Sequence, residues 1–196
     1  MAGALATRRP GAIIGSAAFA ALLGLLWAFG PGADPARPFG PALVVTARVA
    51  AAYFLLAFSA SALARLTPSA RVLVANRRYL GLAFALVHGV HGLLVVAWAQ
   101  TPEAELDPAT LIGGGLAYGL AALMALTSND ASQRLLGAWW KRLHTVGAYW
   151  IWFVFALTFS GRAFEPSLSQ ALLVLLIAAL MLRVAVALRR ARQVAA

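Results

Sequence analysis

The chain has 196 residues, 62% of them hydrophobic and 11% charged, with a formal net charge of +10 and no cysteine. That balance lies far from the roughly one-quarter charged composition of soluble domains and points to an integral membrane protein. The missing thiols exclude disulfides, iron–sulfur clusters and thiolate metal sites. In a membrane protein the positive charge reads as topology, not as a nucleic-acid partner. One transmembrane domain over 1–196 is expected, with no soluble catalytic domain appended.

Six apolar runs follow, each near the roughly 20 residues a helix needs to cross hydrocarbon, at about 11–29, 42–64, 79–100, 110–127, 143–161 and 167–188. The first follows Arg8 and Arg9. Its end, Gly30-Pro31-Gly32, reads as a turn rather than a small-x-small cleavage site, so a retained helix is expected. The connections between runs carry loop chemistry: Gly30 to Pro41 is dense in Gly and Pro, Thr101 to Pro108 is short and acidic, and Phe164-Glu165-Pro166 breaks the last hairpin.

Charge predicts the orientation. Arg8 and Arg9 precede the first span, and Arg65, Arg71, Arg77 and Arg78 fill the second connection. Arg134, Lys141 and Arg142 fill the fourth, and Arg189, Arg190 and Arg192 end the chain. The opposite connections hold Asp34, Glu103, Glu105, Asp107 and Glu165, with Arg37 and Arg162. Even connections and both termini are basic, so an all-α bundle of six transmembrane helices with both ends in the cytoplasm is expected. Two further arginines fall inside spans. Arg183, near the cytoplasmic end of the sixth, is expected to snorkel to headgroups. Arg48, about two turns into the second, either snorkels or pairs with an anionic group.

His88, His91 and His144 are the chemically informative residues, because an imidazole in lipid is a functional-site candidate by default. His88 and His91 lie three apart on one helical face in Val87-His88-Gly89-Val90-His91-Gly92. The neighbouring glycines suit either close helix packing or a flat macrocycle. His144 opens the fifth span after Trp139-Trp140-Lys141-Arg142, an interfacial belt that also suits the propionates of a porphyrin. Zinc is disfavoured, since no carboxylate lies at matching depth to complete four ligands. An axial pair on heme iron needs only two imidazoles. The aromatic run Tyr149-Trp150-Ile151-Trp152-Phe153 reads as packing or lipid contact, or as an electron route.

Two stretches resemble a known family. Arg77-Arg78-Tyr79-Leu80-Gly81-Leu82 with the helix reaching His91 is similar to an Arg-Arg-x-Leu-Gly-Leu…His segment. Thr127-Ser128-Asn129, Arg134, Leu136-Gly137, Trp140 and Leu143-His144 are similar to a Thr-Ser-Asn…Arg-x-Leu-Gly-x-x-Trp-x-x-Leu-His pattern. Both resemble the ferric-reductase-like transmembrane domain superfamily, more narrowly the heme-binding membrane subunit of the bacterial methionine sulfoxide reductase system. The resemblance implies a bacterial inner-membrane subunit holding one b-type heme. By it, His91 and His144 are iron ligands, and Arg77 and Arg78 form a basic rim; His88 has no counterpart in the pattern and is an alternative ligand by its depth in the span. It further implies electrons from a soluble flavin reductase, with flavin on that separate partner, or from quinone, delivered to an extracytoplasmic reductase subunit or other acceptor.

The family carries a second histidine about thirteen residues into the fifth span, where this chain has Phe155-Ala156-Leu157-Thr158-Phe159. Depth sharpens the departure. At about 1.5 Å per residue, His91 lies roughly 18 Å beyond the basic start of its span, whereas His144 lies at the start of its own. His88, one turn nearer, relieves part of that offset, and a tilt near 20° relieves more. Three outcomes are open: His144 paired with His88 or His91, a heme on one imidazole with an open or weak sixth position, or a heme-less scaffold on the same fold. A small-solute transporter with His88 and His91 as a relay is a further alternative, but no paired helix interruption marks the two halves.

Overall fold

The structure is a computed structural model that describes residues 7–30, 39–102, 104–161 and 168–195. The loop readings at Pro31, Gly32, Asp34, Arg37, Glu103, Arg162 and Phe164 to Pro166 lie outside them. Among the described residues there are helices and no strands: α1 Pro10–Phe29, α2 Gly40–Leu63, α3 Arg71–Trp98, α4 Pro108–Leu126, α5 Asp130–Leu136, α6 Ala138–Ser160 and α7 Leu168–Ala195. Six of these, all but α5, are long and apolar enough to cross a membrane, as a multi-pass membrane protein requires.

The six expected spans are present, and three differ in extent. A 3₁₀ turn at Pro68–Ala70 starts α3 at Arg71, so Arg77 and Arg78 lie on the helix rather than in a connection. Likewise α6 begins at Ala138 and includes Lys141 and Arg142, and α7 runs on through Arg189, Arg190 and Arg192. Hydropathy marks where hydrocarbon ends, whereas backbone hydrogen bonding carries a helix on into the headgroup layer. The short α5 was not expected. Asn129 caps it by accepting from the Ser132 N–H at 2.8 Å, and Gly137 ends it at φ 51°, a conformation that favours glycine. Thr-Ser-Asn and Leu-Gly are thus the two ends of a surface helix. The Arg78–Asp130 ion pair ties that helix to α3.

Packing follows from residue size. Ala17, Ala21, Gly24 and Ala28 form the buried stripe of α1, and it meets Ala42, Thr46 and Ala50 of α2. Small residues let two backbones approach where lipid supplies no hydrophobic drive between helices. Contacts run α2 to α3, α3 to α4, α4 to α6, α6 to α7 and α7 back to α2, with α1 outside against α2 and α3. The ring is filled by aromatic side chains. Phe54 of α2 lies 5.5 Å from Phe84 of α3 and 5.7 Å from Phe155 of α6. Trp150 donates to the Gly113 carbonyl of α4, and Trp152 to the Leu176 carbonyl of α7. Packing, not lipid contact alone, therefore accounts for these two tryptophans.

A Cβ added at Gly24 would meet Thr46 Cγ2 at 2.6 Å, and the Thr46 rotamer is held by its hydroxyl bond to the Ala42 carbonyl. Gly24→Val is expected to part α1 from α2 and destabilise the protein by about 1–3 kcal/mol. Gly15→Ala, with open space at its Cβ, serves as the near-neutral control in the same detergent melt. The hydrogen bond and charge of Arg78 hold the Asp130 carboxyl below its ordinary range. Its small contribution is present above about pH 4 and is lost as pH falls through the lowered folded value. Hydrogen exchange in α5 is expected to rise over that acid range and to be already raised in Asp130→Asn.

Candidate functional site

The structure brings His88 and His91 together and leaves His144 elsewhere. The two α3 rings are near parallel, 6.0 Å between centroids. They sit in the half of the bundle away from the basic helix ends. His91 is anchored by α2: its Nδ1 lies 3.0 Å from Thr46 Oγ1. That hydroxyl gives its single proton to the Ala42 carbonyl at 2.7 Å, so the His91 ring donates to Thr46. A second-sphere partner that fixes tautomer and orientation is how ligating imidazoles are usually held.

His88 is buried, at 6% exposure, and among the described residues neither of its ring nitrogens has a hydrogen-bond partner. Its neighbours are rings. Tyr118 of α4 stacks on it at 4.3 Å, Phe84 lies at 5.0 Å, and Phe155 of α6 lies tilted at 5.6 Å. Tyr118 reaches that place because Gly92 lacks a side chain: a Cβ there would stand 2.9 Å from the Tyr118 ring. Gly89, the next residue, is exposed on the outer face of α3.

His144 belongs to a different layer. It lies under Trp140, with ring centroids 4.0 Å apart, and its Nε2 is 3.2 Å from Thr127 Oγ1. The Thr127 hydroxyl donates to the Leu123 carbonyl at 2.7 Å, so Nε2–H is the donor and the ring joins α6 to the end of α4. Trp140 Nε1 adds a bond to the Thr127 carbonyl at 2.8 Å. On α6 the residue level with His88 is Phe155, and His144 lies about 16 Å from it along the helix. Two imidazoles on one iron stand only about 4 Å apart, twice a metal–nitrogen bond of about 2 Å. His91 and His144 are therefore not brought together as an axial pair, because each sits near a different end of the bundle.

The remaining expected site residues lie at the basic end. Arg78 is paired with Asp130, and Arg77 donates to Ser61 Oγ at 3.3 Å. Arg48 spends its Nε and Nη2 donors on the buried Ser169 hydroxyl, at 3.2 and 3.1 Å. Among the described residues no three of His, Cys, Asp and Glu converge as a metal site. Thr46, Thr127 and Tyr118 were not singled out in the sequence. Their signal there is only that they are polar-tipped side chains inside apolar spans, which does not name a partner.

No family model matches the chain, and no solved structure matches it. Replacing Thr46 by Val is expected to remove the partner of His91 Nδ1 and lower stability by about 0.6–2 kcal/mol. Thr46→Ser should recover most of that in the same thermal melt.

Proposed function

We propose that this chain is an electron-transfer subunit of the bacterial inner membrane, with both termini cytoplasmic, that holds one b-type heme on the histidines of α3. Its donor is a soluble flavin reductase or quinone at the basic end, and its acceptor lies on the opposite side of the membrane. The observation that carries this reading is His88. A buried imidazole with neither nitrogen bonded loses about 1–3 kcal/mol per unsatisfied group unless something absent from the polypeptide meets it.

The residues present would hold the iron through an imidazole of α3, with no second imidazole from α6. Thr46 holds the His91 ring in place, and His88 lies beside it. The position facing them from α6 is Phe155, which cannot ligate. The iron, when bound, supplies one-electron chemistry, and the polypeptide sets burial and ligand orientation. Phe84, Tyr118 and Phe155 exclude water around the His88 imidazole. Arg77 and Arg78 mark the face toward a cytoplasmic donor.

A second reading, a heme-less membrane scaffold, is favoured by the same Phe155, since a phenyl ring fills the place of a second ligand. One experiment separates the two. Protein purified in detergent from heme-supplemented cells is expected to give a b-type α band in a dithionite-reduced minus oxidised spectrum. The band should vanish in the His88→Ala/His91→Ala double variant and persist in His144→Ala. A featureless wild-type spectrum overturns the heme reading and leaves the scaffold. Loss of the band in His144→Ala with retention in the double variant overturns the assignment to α3.

A further inference from the structure

Arg183 of α7 engages two neighbouring helices. It lies about 9 Å further into the apolar layer than Arg189 by the rise of a helix, and its side chain turns inward. Nη1 donates to the Phe58 carbonyl of α2 at 2.7 Å, and Nε reaches the Tyr149 hydroxyl of α6 at 3.4 Å. The guanidinium lies over the Phe58 ring at 4.3 Å and the Tyr149 ring at 5.3 Å. Arg77 of α3 is fixed against the same helix through Ser61. Phe58 and Ser61 are three positions apart on α2, hence neighbours on one face. Two guanidinium groups, from α3 and α7, are thus held against neighbouring positions of α2.

Among the described residues no carboxylate pairs with them. The ion pair found among the described residues is Arg78 with Asp130, which engages α5 instead. Arg183 Nη2 makes no hydrogen bond among the described residues, although a guanidinium carries five donors. Cations in the apolar layer are costly without a counter-charge. Planar forks from two helices match the several acceptor oxygens of a phosphate better than a point charge would.

We propose that Arg77 and Arg183 form an oxyanion site at the basic end of the bundle that binds a phosphate group. The phosphate comes either from the headgroup of an anionic phospholipid or from a soluble phosphate compound. The site does not depend on the heme reading, because Arg77 lies about 16 Å from His88 along α3.

The test is thermal unfolding of the delipidated full chain in neutral detergent, titrated with phosphatidylglycerol, phosphatidylcholine or inorganic phosphate. Stabilisation by phosphatidylglycerol beyond phosphatidylcholine, without an effect of inorganic phosphate, assigns a lipid headgroup. Stabilisation by inorganic phosphate assigns a soluble oxyanion. In either case Arg77→Gln is expected to weaken the response about tenfold. Arg183→Lys, which keeps the charge and loses the fork, should weaken it without unfolding the bundle. Equal responses to the two lipids with none to phosphate, or a response undiminished in both variants, overturns the site.

Discussion

Hydrocarbon offers no hydrogen bonds, and a polar side chain within this bundle must find its partner on a helix. Thr46 and Ser59 return their hydroxyl protons to carbonyls one turn back. Trp150 and Trp152 reach across to carbonyls of α4 and α7, and Arg183 reaches the carbonyl of Phe58. These bonds tie the helices together and also set which lone pairs are left over. Because Thr46 and Thr127 have each spent their one proton on the backbone, they can only accept from His91 and His144. The donor roles of two histidines are thus decided by the hydrogen-bonding needs of two threonines. Among the described residues of the spans, His88 is the buried side chain left without a hydrogen-bond partner.

The bundle's shape follows from where bulk is placed. A stripe of small residues lets α1 lie flat on α2, and phenyl rings from α2, α3 and α6 fill the ring of helices. That filling gives α3 and α6 a common level at Phe84, His88 and Phe155. It also moves His144 to the basic end, where it works as a strut between α4 and α6 under Trp140. The two histidines that the family resemblance would pair therefore have separate roles. One imidazole group lies deep among aromatic rings, and the other lies at the membrane edge.

The basic end has its own logic. Helices α3, α6 and α7 continue past the apolar layer and carry their arginines with them, while α5 closes the connection between α4 and α6 with Arg78 and Asp130 as its clasp. Charge there is not evenly solvated. Arg78 is neutralised by a carboxylate, whereas Arg77 and Arg183, held against neighbouring positions of α2, have none among the described residues. An anion drawn from the membrane or the aqueous phase would complete that end as a partner at His88 would complete the middle.

The sequence by itself determined the number of spans, their approximate limits and the separation of basic from acidic ends. These properties depend on hydropathy and charge summed over about twenty residues, and no single contact alters them. The sharing of a helical face by His88 and His91 was equally legible, because it follows from a three-residue spacing. The tertiary structure decided the rest. It placed α5 in a connection, where a cap at Asn129 and a positive φ at Gly137 mattered more than hydropathy. It turned Arg183 inward and set Phe155, not His144, opposite His88. Which residues of two helices stand at one level depends on where each helix starts, how the small stripes seat and which rings fill the centre. Those are contacts between distant parts of the chain, and local pattern carries no record of them.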